Sequence, residues 1–181
     1  MLEAALTDGC ASDAVVASSL AQGRQLWQVR ESISSAQAAE GLNIKHDISI
    51  AVSRIPDFVA QAEAALARSH PGIRLVNYGH LGDGNLHFNV QAPVEADAQA
   101  FLRDEEGPIN AVVYALVDAF NGSISAEHGI GSLKREKLAK HKSPVALDMM
   151  RAIKGALDPH NRMNPGRMLS PDASHRDSTN R

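Results

Sequence analysis

The chain has 181 residues, with 18 lysines and arginines against 21 aspartates and glutamates, and a formal net charge of −3 when its eight histidines are counted neutral. Hydrophobic residues make up 44%, enough for one compact domain to bury a core. The single cysteine, Cys10, excludes an intrachain disulfide framework and a multi-cysteine zinc site, and the mild acidity argues against a nucleic-acid or other polyanion binder.

No run nears the ~20 apolar residues of a membrane span, and the N-terminus lacks a signal-peptide pattern, so a cytoplasmic protein without a membrane span is expected. Residues 1–10 read as a lead-in with little signal. From Ala11 to Ala39 the chain is alanine-rich and free of proline. It predicts one or two helices, capped at Ser12-Asp13 and ending at Gly41. A short strand follows over Lys45–Val52, with Ile48, Ile50 and Val52 alternating. Pro56 opens a helix to about Arg68, whose apolar face is Phe58, Val59, Ala62 and Leu66.

Residues 73–91 predict two strands around a tight turn. A helix from near Glu95 to Phe120 is expected to be interrupted at Gly107-Pro108. Beyond the Asn121-Gly122 turn come a glycine-rich loop and a basic stretch, Lys134 to Lys142, which lacks interleaved aromatics and reads as a solvated face. A last helix starts behind Ser143-Pro144 and stops at Asp158-Pro159. Ser170 to Arg181 is polar and predicts a disordered tail. Helices interleaved with antiparallel strands predict an α+β fold, an antiparallel sheet with helices packed on one face.

The most informative segment is Tyr78-Gly79-His80-Leu81-Gly82-Asp83-Gly84-Asn85-Leu86-His87-Phe88-Asn89-Val90. A two-residue type I′ turn at Asp83-Gly84 would pair Gly82 with Asn85, Leu81 with Leu86 and His80 with His87. Directly opposed residues have Cβ atoms roughly 4.5–5.5 Å apart, close enough for two imidazoles to bind one metal ion. Alternation places Tyr78 and Asn89 on the histidine face and Leu86, Phe88 and Val90 on the core face. The plain alternative is a pair of surface or satisfied core histidines.

A second glycine loop, Ser125-Ala126-Glu127-His128-Gly129-Ile130-Gly131, supplies a carboxylate and a further histidine. His80, His87 and Glu127 would form a His₂Glu set with an open coordination position. Adjacent His128 would then stand at the site's edge as a candidate general base. An exposed polar turn is the alternative for Glu127-His128.

These residues resemble the C-terminal substrate-binding domain of FAD-linked oxidases of the vanillyl-alcohol-oxidase type, in the D-lactate, glycolate and D-2-hydroxyglutarate dehydrogenase branch. The matching blocks are Gly79 to His87, Ser123 to Gly131, Lys142 to Pro159, and Met163-Asn164-Pro165-Gly166-Arg167-Met168-Leu169. The resemblance covers about residues 10 to 170, giving a domain at 11–169 of a ferredoxin-like α+β type. It implies a divalent metal, zinc above all, on His80, His87 and Glu127, and His128 as the catalytic acceptor of a hydroxyl proton. It further implies substrate contacts from Arg30, Ser34, Lys45 and Asn89, and a cofactor-side contact from Asn164. Spacing is consistent with the implied clamp, since Arg30 and Ser34 are four residues apart and would share one helix face, and a guanidinium fork suits a carboxylate. An exposed helix charge or a pair with Glu31 is the alternative for Arg30, and a solvated strand start for Lys45.

The activity so implied is oxidation of a small D-2-hydroxy acid to the 2-oxo acid, with hydride passing to FAD. The flavin-binding domain is expected to be absent from this chain and supplied in cis or in trans, and the chain alone to be inactive. An electron acceptor and a homodimer complete the expected partners. Two other readings stay open. A stand-alone metal or carboxylate-binding module would gain no activity from a flavin domain, whereas a metal-dependent hydrolase would be active alone.

Overall fold

The structure is a computed structural model that describes residues 1–80 and 82–170. The expected tail from Ser170 onwards therefore lies, beyond Ser170 itself, outside the described residues. The chain divides into two compact units, Met1–Gly41 and the part from Leu42 onwards.

The first unit is helical: α1 (Leu2–Thr7), α2 (Leu20–Glu31) and α3 (Ile33–Ala39). The expected cap at Ser12-Asp13 is not where a helix starts. Ser19 caps α2 instead, its hydroxyl accepting the Gln22 N–H at 3.2 Å, while Asp13 binds only the neighbouring Ala14 N–H at 2.7 Å. A short polar residue with extended backbone is what an N-cap needs, and Ser19 has φ −150°. The lead-in, which carries little signal in the sequence, contains α1.

The second unit is α+β, as the sequence predicts. Its strands are β1 (Asn43–Ile44), β2 (Asp47–Ser49), β3 (Arg74–His80) and β4 (Asn85–Gln91). β4 is central and antiparallel to its neighbours, with β3 along one edge and β1 and β2 sharing the other. Ile44 pairs with Val90 and Asp47 with His87, so nothing is inserted between β1 and β2, and Lys45 lies level with Asn89. Strand character ends before Val52, which begins a single 3-10 turn to Arg54.

Alternation decides the faces. Ile44, Ile48, Leu86, Phe88 and Val90 turn to one side and are buried. Against them pack α4 (Ile55–Ser69), through Phe58, Ala62 and Leu66, and α5 (Ala98–Ala119), through Ile109, Val113 and Val117. Phe58 meets Phe88 and Phe120 edge to face, with ring centroids 5.9 and 5.5 Å apart. Each large apolar side chain buried here contributes roughly 1.5–3 kcal/mol.

α5 is not interrupted at Gly107-Pro108. Proline removes one intrahelical hydrogen bond, yet buried Phe101 before it and Ile109, Val113 and Tyr114 after it hold both halves on the core. The helix begins at Asp97, whose carboxylate caps Gln99 and Ala100, rather than at Glu95. The basic stretch forms the short helix α6 (Arg135–His141), and α7 (Pro144–Leu157) starts at Ser143, as predicted. No helix among the described residues is long and apolar enough to cross a membrane.

Candidate functional site

The hairpin's register differs from the expected one by two residues. β3 ends at His80 and β4 starts at Asn85, so the connection has four residues, and His80 pairs with Asn85 while Tyr78 pairs with His87. The expected partner of Leu86 was Leu81, which lies outside the described residues; Leu86 pairs with Gly79. The physical reason lies in the turn. A type I′ turn needs positive φ at both central residues, and among the described residues of this connection Gly84 alone has it, at +78°. Asp83 instead uses its carboxylate to accept the Asn85 N–H at 3.0 Å, and the Gly84 carbonyl accepts the Ile50 N–H at 3.0 Å.

A slip of two residues preserves every face. Tyr78, His80, His87 and Asn89 share one side, as predicted, with the histidines diagonal rather than directly opposed. Diagonal neighbours stay within reach of long side chains. The two imidazole centroids are 6.2 Å apart with perpendicular rings.

The second glycine loop reaches this face through a bridge to β2. Ser49 and Ser123 exchange both backbone hydrogen bonds, at 3.0 and 2.8 Å. Gly122 permits the approach, since a Cβ there would lie 2.6 Å from both the Ser49 carbonyl oxygen and Ile50 Cδ1. Ser125 Oγ closes the loop on the Gly129 carbonyl at 2.8 Å, and Lys134 Nζ holds the Ile124 carbonyl at 3.0 Å.

Glu127 is thereby set between the histidines. Its Oε1 is 2.8 Å from His80 Nδ1 and its Oε2 is 3.6 Å from His87 Nε2. His128 lies 5.7 Å from His87, ring to ring, and the Tyr78 ring lies 4.9 Å from His87 at a tilt. Burial pushes the His87 imidazole below its usual pKa, against the opposing pull of Glu127 and Asp47. A neutral imidazole is the form that ligates a metal.

Sequence reasoning missed Asp47. Together with His87, Glu127 and His128 it offers ligand-type atoms that all lie within 4.8 Å of one another. Asp47 is buried and pairs across β2–β4 with His87. Burial drives its carboxyl pKa up, but backbone N–H groups of His128, Ala126 and Glu127 bring it below the ordinary value. The signal was in the sequence: Ile48 and Ile50 alternate into the core, which puts Asp47 and Ser49 on the opposite side with Lys45.

The remaining predicted residues are distributed as follows. Lys45 is exposed and level with Asn89, which is buried two residues from His87 on the same face. Arg30 and Ser34 lie in the first unit but not on one helix. α2 stops at Glu31 and α3 starts at Ile33, with Ser32 closing one and opening the other. Asn164 is exposed in the segment after α7, with φ +49°, and its carbonyl accepts the Arg167 N–H at 3.2 Å. Left-handed backbone is a conformation asparagine tolerates well.

The donor chemistry fits a divalent cation. Two imidazoles and one carboxylate are donors of the kind that hold zinc, manganese or iron; His80 touches Glu127, but the group of ligand-type atoms that converges within 4.8 Å is that of Asp47, His87, Glu127 and His128. Residues 1–168 match FAD linked oxidases, C-terminal domain, and the chain belongs to that family.

Relatives whose names state a function share its sequence over nearly its whole length. The chain is 40% identical to a D-2-hydroxyglutarate dehydrogenase of Xanthomonas citri pv. viticola, over 92% of this chain and 35% of the relative. It is 36% identical to one of Stutzerimonas stutzeri, over 93% and 36%, and 38% identical to the mitochondrial enzyme of Bos taurus, over 95% and 30%. The chain thus spans about a third of the length of these relatives.

Proposed function

We propose that this chain is the substrate- and metal-binding part of an FAD-linked dehydrogenase that oxidises a D-2-hydroxy acid, of the 2-hydroxyglutarate class, to the 2-oxo acid. The observation that carries it is Glu127, whose two oxygens face His80 and His87 beside His128, in a family whose named relatives dehydrogenate D-2-hydroxyglutarate. His80, His87 and Glu127 would hold the divalent metal, zinc in this proposal. A bound divalent cation supplies Lewis-acid polarisation of the substrate hydroxyl, and FAD supplies the hydride acceptor.

The chain's own residues bind, orient and move a proton. Arg30 takes the substrate carboxylate through its guanidinium fork, with Ser34 adding a hydroxyl donor. Lys45 and the Asn89 amide contact the substrate from the histidine side of the sheet. His128 has Nδ1 turned towards Asp47, 3.8 Å from Oδ2, which leaves Nε2 as the atom that accepts the hydroxyl proton. Loss of that proton leaves the electron pair on oxygen that becomes the carbonyl as the α-hydrogen departs as hydride.

Asn164 is proposed to face the flavin-binding domain, present in cis or in trans. Support for a covering domain comes from α7, where Val145, Met149, Ile153 and Leu157 recur at every fourth residue and are exposed. A contiguous apolar stripe of that kind marks an interaction surface.

The test is reconstitution. Co-expression of this chain with a flavin-binding domain of the family should yield dye-linked oxidation of D-2-hydroxyglutarate, and His128→Ala should lower the rate about 10²–10⁴-fold. Failure to reduce the dye with any D-2-hydroxy acid, or a full rate in His128→Ala, would contradict the proposal.

A further inference from the structure

Asp47 sits among the ligand-type groups, yet its carboxylate is already fully engaged. Oδ2 accepts the backbone N–H groups of Ala126 at 3.1 Å, Glu127 at 3.0 Å and His128 at 2.9 Å. Oδ1 accepts the Asn85 side-chain amide at 2.9 Å and makes a longer contact, 3.3 Å, with the Glu127 N–H. A carboxylate has about four lone-pair positions, and these contacts use them all. The same carboxylate is nearly inaccessible, with Asp47 at 3% exposure.

The three amides it gathers belong to the residue before the Glu127 ligand, to Glu127 itself and to His128. Charge-assisted bonds from consecutive N–H groups fix a loop's path more firmly than neutral ones. Asn85 completes the arrangement from the hairpin. Its amide nitrogen binds Asp47 Oδ1, and its backbone N–H is held by Asp83 at 3.0 Å. One buried carboxylate on β2 therefore joins the loop that carries Glu127 to the strand pair that carries His80 and His87.

We infer that Asp47 is a positioning residue for the metal centre and not one of its ligands: it holds the backbone of 126–128 so that Glu127 meets His80 and His87. The inference rests on the reading of His80, His87 and Glu127 as ligands. Removing the Asp47 charge leaves that ligand set intact but lets the loop wander. Partners that hold ligands in place typically affect metal affinity by about 10–100-fold.

The experiment is a Co²⁺ titration of the full chain followed by visible spectroscopy, because the d–d bands report the ligand set independently of affinity. Asp47→Asn should bind Co²⁺ about 10–100-fold more weakly than wild type, reach the wild-type spectrum at saturation, and show faster hydrogen exchange at the amides of 126–128. Glu127→Gln should change the saturated spectrum. Asp47→Glu keeps the charge with a longer reach; it should recover part of the affinity, with the wild-type spectrum, and serves alone if the asparagine variant does not fold. An altered saturated spectrum in either Asp47 variant would make Asp47 a ligand and overturn the inference. Wild-type affinity in Asp47→Asn would overturn it too, leaving the ligand set standing. Absence of Co²⁺ binding in the wild type would overturn the ligand reading and this inference together.

Discussion

At the scale of single residues, His46 carries the clearest pH signature. It is buried on the core side of the sheet, with its ring near those of Phe88 and Tyr114, and its Nδ1 lies 2.7 Å from the Phe88 carbonyl. Burial lowers its pKa to about 4, outweighing the opposing effect of that hydrogen bond. In the unfolded chain the imidazole titrates at its ordinary value of about 6.5. Between these values the unfolded state binds a proton that the folded state refuses, so stability falls as pH drops from about 6.5 to about 4 and levels off below. The loss is on the order of 3 kcal/mol. Urea midpoints measured across this range should show a steeper acid-side decline in wild type than in His46→Phe. Parallel curves would contradict the account.

The residues most easily read from the sequence were those defined by type and spacing together. His80, His87, Glu127 and His128 stand out because they lie in glycine-rich segments, and the structure sets Glu127 beside His80 and His87 with His128 next to His87. Asp47 was hidden because its role exists only in three dimensions: its partners are 38 to 81 residues away. The pairing of Arg30 with Ser34 assumed one helix, and Ser32 divides that helix in two.

At the scale of elements, β4 organises the site. It turns Leu86, Phe88 and Val90 to the core and His87 and Asn89 to the opposite side, and the alternation that does so is visible in the sequence. The register was not visible, because loop length depends on whether Asp83 adopts positive φ or spends its carboxylate on the Asn85 N–H. The two glycines of this turn should therefore behave differently. Gly84 has φ +78° and a Cβ there would lie 2.2 Å from the Ile50 carbonyl oxygen, whereas a Cβ on Gly82 meets nothing within 4 Å. Gly84→Ala should destabilise the chain by about 1–3 kcal/mol or more, and Gly82→Ala by within about 0.5 kcal/mol, in chemical denaturation. Equal effects would show that the turn is not built this way.

Helix boundaries with strong caps followed the sequence closely: Ser143 before α7 and the Asp158 stop are observed as expected. Pro108 misled, since local breaking propensity lost to the core anchors on either side of it.

At the scale of the molecule, the chain belongs to the C-terminal domain family of FAD linked oxidases and contributes a metal-type donor set on one face of an antiparallel sheet. The opposite face is closed by α4 and α5, and α7 carries an exposed apolar stripe. The family and the α+β class were legible because the glycine-histidine blocks are long, ordered and well separated. The division into two units at Gly41 was not, since Gly41 reads only as the stop of a helical stretch within one domain over 11–169.

The proposed function stands on the claim that His80, His87 and Glu127 hold a divalent metal. Elemental analysis of the purified chain, beside His80→Ala and His87→Ala, tests it most directly. The account predicts stoichiometric divalent metal in the wild type and its loss in both variants; unchanged metal content in both would contradict it.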